Sequence, residues 1–398
     1  LAALFFPILL VIRPKFKKAL KISLFFIVFI LGFHLSLENL YQNLYHSFDS
    51  DILCLMKEMP KFQSFNFKEA LVGNYCGNKE SGIMLILLAF FKIFGLYSEM
   101  AIRLSSLFFH LLTIIFIFFY GKKIKSYTTG LIAALSISLH PYLIELSTRG
   151  LRDSAFTFIT TVFIYFLFAS NLTKLKNKIS LILTTVFIIY LRLHSLMQFT
   201  GVILVFAMYK TILRQSTKGL KQALFAILSL LLISFPLINH NLKNYQTWNY
   251  SERMHLKWNT NVEFSGQPGF PSKESERINP FQGPEITPFT YFFKLHTIQD
   301  LVISSFRGVI KTFTGLYFKN NFFGFILFII GGWFMLKNKH LWYIPFLVFF
   351  LEIPHFFLVE KNLLEFRSMT HSLPLIALTI GFAIDKIIAA IRKEAKNI

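Results

Sequence analysis

Acidic residues are scarce in this sequence, and the motifs of soluble enzymes are missing. The 398 residues include 20 Asp+Glu against 41 Lys+Arg. They contain no phosphate-binding loop, no glycine-rich dinucleotide fingerprint, no HExxH zinc motif and no GxSxG nucleophile elbow. No cluster has metal-ligand spacing, and there is no short-period repeat. We therefore expect no nucleotide site and no cofactor; a metal is not expected, although the sequence leaves its participation open.

Apolar residues are abundant instead, making up 54% of the chain and including 50 Phe. A soluble domain cannot bury that much apolar surface, whereas a bilayer accepts it. Apolar runs of about 17–20 residues alternate with short basic loops, which is typical of membrane-spanning helices. We predict an all-α polytopic membrane protein with about ten transmembrane helices, juxtamembrane helices and a large outer-face loop. The predicted spans are at about 19–37, 102–120, 128–145, 154–171, 179–194, 196–209, 222–239, 321–336, 341–359 and 372–390.

The basic residues are concentrated on alternate loops. Six short segments hold 21 of the 41 Lys+Arg but only two acids, Asp385 and Glu394. This is the charge bias of cytoplasmic loops, so we expect both termini in the cytoplasm and the protein in a bacterial inner membrane. No basic patch with interleaved aromatics remains for a nucleic acid. The net charge of +21 therefore indicates orientation in the membrane.

Three regions follow from this topology. Residues 1–239 form an N-terminal membrane region, whose first outer loop (38–100) carries the candidate catalytic site. Residues 240–320 form an outer-face soluble loop and an interfacial helix, since 240–300 has no long apolar run and 301–318 is amphipathic. Residues 321–398 form the C-terminal transmembrane helices. The apolar stretch 81–96 is predicted to be juxtamembrane, because a span there would put the next basic loop on the wrong side.

Ionisable residues at the outer face are the candidates for chemistry. A carboxylate there can accept the proton of an attacking hydroxyl, typically worth about 10²–10⁴ in rate, and cations can stabilise a departing phosphate oxygen. The alternative interpretation is solvated loop charges and arginines that reach lipid headgroups. The candidates are the catalytic carboxylates Asp49, Asp51 and Asp153 and the phosphate-binding residues Lys79, Arg103, Arg152 and Arg367.

Three further pairs keep two interpretations each. Glu352 and His355 lie one helical turn apart within a predicted span, so they either line a cavity or form a structural pair. Arg192 and His194, at the outer ends of two helices, carry the same alternatives. The only cysteines, Cys54 and Cys76, share the first outer loop and are either a disulfide or two free thiols.

Short elements follow one another in a distinctive order along the first 170 residues. They are Asp49-Ser50-Asp51, Lys57-Glu58-Met59, Lys79-Glu80-Ser81, Phe90–Gly95, Ala101-Ile102-Arg103, His140-Pro141 and Arg152-Asp153; near the end, Glu365-Phe366-Arg367 precedes Pro374. This order resembles the GT-C superfamily of membrane glycosyltransferases. The nearest pattern is that of the protein O-mannosyltransferase-like branch, which includes the lipid A aminoarabinose transferases.

The resemblance implies roles for particular residues. Asp49 stands in the place of the family's catalytic base, with Asp51 as the alternative, and Lys79 in the place of its phosphate contact. Asp153 matches the acidic residue of the second outer loop, and Arg367 matches an arginine before the last helix. The sequence departs from the pattern where the second carboxylate is displaced by one residue and where Lys79 lacks the two following prolines.

The function implied by the resemblance is inverting transfer of a sugar from a polyprenyl-phosphate carrier at the outer face. Its partners would be the polyprenyl-phosphate-linked sugar, a lipid, glycan or protein acceptor, and membrane lipids. Trp248, Tyr250 and Trp258 of the 240–300 loop would cover the acceptor. Two alternatives are a transporter or lipid flippase without covalent chemistry, and a polysaccharide polymerase or ligase whose Arg and His residues lie in the later loops.

Overall fold

The computed structural model of the chain describes residues 18–43, 56, 74–75, 79–80, 82–95, 99–150, 152–213, 216–279, 281–318 and 321–394. Almost all of these are helical. The one sheet among them is a short antiparallel ribbon of β1 (Asn74–Tyr75) and β2 (Lys79–Glu80). The helices of the first half are α1 (Lys18–Asn43), α2 (Gly82–Phe94), α3 (Glu99–Ile124), α4 (Tyr127–Ser138), α5 (Pro141–Leu146), α6 (Arg152–Ile164), α7 (Leu175–Leu191), α8 (Leu196–Ile212) and α9 (Ser216–Tyr245).

The second half begins with short helices and ends with long ones. They are α10 (Tyr250–Phe264), α11 (Lys273–Ile278), α12 (Pro288–Phe293), α13 (Ile298–Thr312), α14 (Phe322–Leu336), α15 (Tyr343–Glu360) and α16 (Leu373–Glu394). A 3₁₀ segment (Phe366–Ser372) leads directly into α16. α6 and α13 each continue for five residues as π-helix, at Tyr165–Ala169 and Phe313–Tyr317.

α4 lies at the centre of the bundle, against α1, α3 and α16. Small residues set these approaches: a Cβ on Gly121 of α3 would lie 2.6 Å from the Cα of Gly130, and one on Gly381 of α16 would lie 2.5 Å from the Thr129 carbonyl oxygen. Close backbone contact at small residues is the usual way that membrane helices associate. The largest hydrophobic core is continuous through these helices.

The predicted span at 128–145 is wrong in one respect, because it is two helices. α4 ends at Ser138, and α5 starts at Pro141 after an extended His140. Proline has no N–H to donate and disfavours helical geometry at the residue before it. The apolar run therefore turns after Ser138, and the end of α5 packs against the start of α6, where the Ser154 hydroxyl lies 3.4 Å from the Leu146 carbonyl oxygen.

Among the described residues, six helices are long and apolar enough to cross a membrane, or seven if the bent pair α13–α14, with an angle of 117°, is one span. Shorter apolar helices cover Gly82–Phe94, Tyr127–Ser138 and Tyr343–Ile353. The all-helical multi-pass class is confirmed, and the number ten stays a prediction. The six helices cover Leu20–Gln42, Glu99–Ile124, Arg152–Ala169, Leu193–Ile212, Thr217–Tyr245 and Phe366–Glu394.

Helices α10 to α12 and the start of α13 form a region with its own small core. Leu256 and Tyr291 pack there against Phe357 and Leu363, at the end of α15 and in the turn after it. α13 is amphipathic as predicted: Ser304 and Gly308 face α15, and Val302 and Phe306 are exposed. The small core fixes this region beside the turn that leads to the 3₁₀ segment.

Candidate functional site

The first residues of α6 carry a buried carboxylate. Asp153 forms an ion pair with Arg192, at the end of α7, and each side chain is only 5% exposed. The guanidinium of Arg192 also lies 4.5 Å from the ring of Phe156 and donates through Nη1 to the carbonyl oxygen of Ser368, at 3.2 Å. Arg192 thus joins α6, α7 and the 3₁₀ segment at one point.

Arg152 and Lys79 reach the same end of the bundle. Arg152 donates through Nη1 to the Leu191 carbonyl oxygen, at 3.0 Å. Gly82, the first residue of α2, packs against the same turn, where an added Cβ would lie 2.8 Å from the Leu191 backbone nitrogen. Since Lys79 of β2 is only three residues before Gly82, the chain path brings its backbone close to the start of α6.

Arg103, near the start of α3, is committed to packing contacts. Its guanidinium pairs with Glu99, at 2.8 Å, and donates to the carbonyl oxygen of Thr148, at 3.1 Å. Asn39 of α1 donates to the hydroxyl of the same Thr148, at 2.5 Å. The side chain of Arg103 is 4% exposed. Through Thr148, which lies five residues before Asp153, it braces the connection between α5 and α6.

Arg367 lies in the 3₁₀ segment and is 20% exposed. Its Nε is 2.9 Å from Oε2 of Glu365. The segment is held against α6 because the hydroxyls of Thr157 and Thr370 are 3.0 Å apart. Arg367 is therefore next to Ser368, whose carbonyl binds Arg192.

The structure brings four of the predicted residues to one end of the bundle: Arg152 and Asp153 from α6, Arg367 from the 3₁₀ segment, and Lys79 by the path of its backbone. Arg103 braces the loop beneath them. The predicted base, Asp49 or Asp51, lies outside the described residues, as do Cys54 and Cys76.

The partnership of Asp153 with Arg192 was not predicted from the sequence. Arg192 follows a long apolar helix, and an arginine at that depth needs a counter-charge. That signal was present, but the partner is 39 positions away in the chain. The arginine also fixes Ser195, whose hydroxyl donates to the Arg192 carbonyl oxygen, at 2.6 Å.

A second buried cluster lies beneath this ion pair. His355 Nδ1 is 2.8 Å from Oε2 of Glu352, so the predicted pair is confirmed. His371, which sequence reasoning missed, adds a third member, its Nε2 3.4 Å from Oε1 of Glu352. The ring of His371 stacks edge-on with Phe156, 5.2 Å between centroids, and Phe156 in turn contacts Arg192. This aromatic ring connects the two clusters.

The arrangement combines several arginines with one buried carboxylate. Arg192 pairs with Asp153 at the start of α6, Arg152 donates to the Leu191 carbonyl beside it, and Arg367 follows in the chain segment that Arg192 binds at Ser368. Arginine suits phosphate because its planar fork donates two parallel hydrogen bonds. Within the described part of the chain, no group of three or more His, Cys, Asp or Glu could hold a metal ion.

Comparison with solved structures supports the fold that the sequence resemblance implies. No protein-family model matches the sequence, and no curated protein matches it. Among solved structures, ArnT from Cupriavidus metallidurans in the apo state superposes with a TM-score of 0.56 at 15% identity, covering 92% of this chain. Both ArnT and the oligosaccharyltransferase AglB, described next, are GT-C membrane glycosyltransferases.

The archaeal oligosaccharyltransferase AglB from Archaeoglobus fulgidus, in complex with an inhibitory peptide and a dolichol-phosphate, superposes with a TM-score of 0.58 at 13% identity over 96% of this chain. This chain has the GT-C fold. The apo form of the same oligosaccharyltransferase matches 97% of it, with a TM-score of 0.54. The chain spans about 59% of the length of ArnT and about half the length of AglB.

The GT-C fold extends well beyond the elements that suggested it. The sequence resemblance rests on the first 170 residues and the last forty, whereas the superpositions cover more than nine-tenths of the chain. The middle helices α7 to α9, predicted from hydropathy alone, therefore belong to the same fold. Arg192 comes from this middle part.

Proposed function

We propose that the chain is an inverting glycosyltransferase that moves a sugar from a polyprenyl-phosphate carrier to an acceptor at the outer face of a membrane. The observation that carries the proposal is the buried Asp153–Arg192 pair of a GT-C fold, with Arg152 and Arg367 beside it. Arg152 and Arg367, close to the fixed Arg192, suit the binding of a lipid phosphate. The solved AglB complex, which holds a dolichol-phosphate, supports a lipid-linked donor.

The reaction needs one base and several cations. Asp49, or Asp51 in its place, takes the proton from the acceptor hydroxyl, whose oxygen bonds to the anomeric carbon. The bond from that carbon to the phosphate oxygen breaks on the opposite face, and its electron pair leaves with the polyprenyl phosphate. Arg152, Arg367 and Lys79 stabilise the charge on that phosphate.

Asp153 has a positioning role in this scheme. Its carboxylate is buried in an ion pair, which holds the Arg192 guanidinium against Ser368 and hence sets the place of Arg367. Asp51 is assigned to orienting groups near the acceptor. Arg103 acts through the loop that it braces.

The remaining assignments follow from the charge pattern. We place both termini in the cytoplasm, the protein in a bacterial inner membrane, and the Asp153 end of the bundle at the outer face. The acceptor is a lipid, a glycan or a protein, and no cofactor takes part. Another solved AglB structure is tethered to an acceptor peptide, which supports an acceptor as a partner in general terms.

The test is transfer from a radiolabelled polyprenyl-phosphate sugar by the purified full-length protein. We expect Asp49→Asn to lose at least about 10²-fold. Arg192→Gln should lose about 10²–10³-fold, because it removes a fixed cation. The matched control is Glu394→Gln, an exposed carboxylate at the other end of α16.

Stability must be measured beside activity, because breaking a buried pair leaves an unpaired charge. The double variant D153N/R192Q removes both charges and keeps the neutral shape. Full transfer in a folded double variant would overturn the role of the pair. Vectorial uptake of the labelled lipid without any transfer would replace the proposal with a transporter.

A further inference from the structure

An open cleft of about 410 Å³ lies beside the 3₁₀ segment that carries Arg367. Its walls come from α5, α10, α13, the end of α15 and the turn from there into the 3₁₀ segment. Its volume lies within the range of about 300–1,000 Å³ that is usual for small-molecule sites. The aromatic lining residues are Tyr142, Trp258 and Phe366, and the polar ones are Lys311, Asn362 and Glu365.

Both charges of the cleft are already paired. Lys311 donates through Nζ to the Val359 carbonyl oxygen, at 2.8 Å, and to Oδ1 of Asn362, at 2.6 Å. It thereby binds the free carbonyl end of α15, where a cation is favoured. Glu365 is held by Nε of Arg367, at 2.9 Å. A cleft with balanced charges favours neither a phosphate nor a cation as its ligand.

The turn that carries the polar residues is rigid. Asn362 adopts a positive φ of 58°, which costs energy in a non-glycine residue and persists when contacts impose it. The contact from Lys311 does this. Gly315, in the π-helical turn after α13, leaves room for the ring of Phe366, since an added Cβ would lie 2.7 Å from its Cζ atom. Asn362 and Phe366 are thus held in place before a ligand arrives, which reduces the entropy cost of binding.

From these features we propose that the cleft binds a neutral saccharide. Aromatic faces pack against the C–H faces of a sugar ring, and the Asn362 amide and the Glu365 carboxylate can bind its hydroxyl groups. A mostly apolar, aromatic-lined concavity with a few fixed polar groups is the usual composition of a small-molecule site. Trp258 comes from α10, so the region 250–264 supplies one wall directly.

The cleft shares Glu365 with the candidate site. Glu365 lines the cleft, and its Oε2 is 2.9 Å from Nε of Arg367. Phe366, also in the lining, directly precedes Arg367 in the chain. A saccharide bound to Glu365 therefore lies next to Arg367, and, resting on the proposed function, we assign it as the acceptor rather than the donor.

The binding experiment uses the full-length protein in detergent and a panel of short neutral oligosaccharides, followed by saturation-transfer NMR without any donor. We expect at least one to bind the wild type. Trp258→Ala should weaken its binding at least tenfold, and Asn362→Ala several-fold. The control is Trp333→Ala, which removes a tryptophan that is 58% exposed on α14, away from the cleft; it should bind as the wild type does.

The outcomes separate this inference from the proposed function. No binding of any oligosaccharide, or equal binding by Trp258→Ala, overturns the saccharide site. Because no donor is present, a protein that binds saccharide but transfers nothing contradicts the transferase alone. If transfer occurs, Trp258→Ala should raise the KM for the acceptor about tenfold and leave kcat and the donor KM unchanged. An unchanged acceptor KM overturns the acceptor assignment and leaves the transferase standing.

Discussion

Two buried polar clusters of this protein differ in how completely their hydrogen bonds are made. One cluster lies outside the main hydrophobic core, in the small core of α10 and α12, and is called the outer cluster for that reason. Here the hydroxyl of Tyr291 donates to Oε2 of Glu263, at 2.6 Å, and Nε2 of His296 lies 3.0 Å from the other oxygen. Nδ1 of His296 faces the Tyr291 carbonyl oxygen, at 2.8 Å, and Lys361 is 3.2 Å from Glu263. Both ring nitrogens of His296 therefore face oxygen atoms, and both of these contacts are hydrogen bonds only when the ring is doubly protonated.

The cluster inside the bundle is less tightly bonded. Glu352 uses one oxygen for His355, at 2.8 Å, while its Oε1 lies 3.4 Å from Nε2 of His371 and makes no well-aligned hydrogen bond to the described residues. The outer cluster is a structural clamp that joins α10, α12 and the end of α15. The inner cluster lies next to Phe156, whose ring also contacts Arg192.

The largest expected effect that would test this difference between the two clusters is the loss of stability in Glu263→Ala. Glu263→Ala removes the acceptor that Tyr291, His296 and Lys361 share, and leaves buried donors unpaired. We expect a loss of about 2–3 kcal/mol in the free energy of unfolding, together with faster proteolysis between residues 250 and 300. Thermal unfolding and limited proteolysis of the purified protein measure both.

The control is Glu274→Ala, an exposed carboxylate on α11, which should change stability by less than about 0.5 kcal/mol. If Glu263→Ala were as stable as this control, the outer network would not be a clamp. The contrast with the inner cluster would then disappear.

The next largest expected effect is on the rate of sugar transfer, in a variant of the inner cluster. Glu352→Gln keeps the size of the side chain and replaces one of the carboxyl oxygens that face His355 and His371 with an amide nitrogen. We expect little change in stability, within about 1 kcal/mol. The 3₁₀ segment should shift, and a displacement of about 1 Å near a reacting centre can cost up to about 10²-fold. We expect transfer to fall about tenfold, mainly in kcat. A destabilisation as large as that of Glu263→Ala would show that both clusters are structural.

Whether a structural feature could be predicted from the sequence depends on how far apart its residues lie along the chain. Hydropathy identified the helical class, and i, i+3 spacing paired Glu352 with His355, because both signals are local. Pro141 was visible in the sequence, and the rule for proline would have divided the span at 128–145. Hydropathy alone does not show this break, because the stretches on both sides of Pro141 are mostly apolar.

The contacts that define the site are not local. Asp153 meets Arg192 across 39 positions, and Glu352 meets His371 only because α15 packs beside the 3₁₀ segment. A single sequence indicates that a buried charged residue needs a partner, but it does not indicate which residue that partner is. The same holds for the cleft, where Tyr142 and Trp258 come from separate parts of the chain. The predicted roles of Asp49, Asp51 and Lys79 stay predictions.

The smallest expected effect is a pH dependence that only the complete cluster should show. Burial lowers the pKa of His296, but its bonds to Glu263 and to the Tyr291 carbonyl outweigh burial and raise the pKa above its usual 6.5. A raised pKa means that the stabilisation is fully present below pH 6.5 and is lost as the pH rises through the folded value. We expect the melting temperature to decline gradually above neutrality, and His296→Gln to remove that decline. An identical pH profile in the variant would mean that His296 is not charged, and the outer cluster would then be no more complete than the inner one.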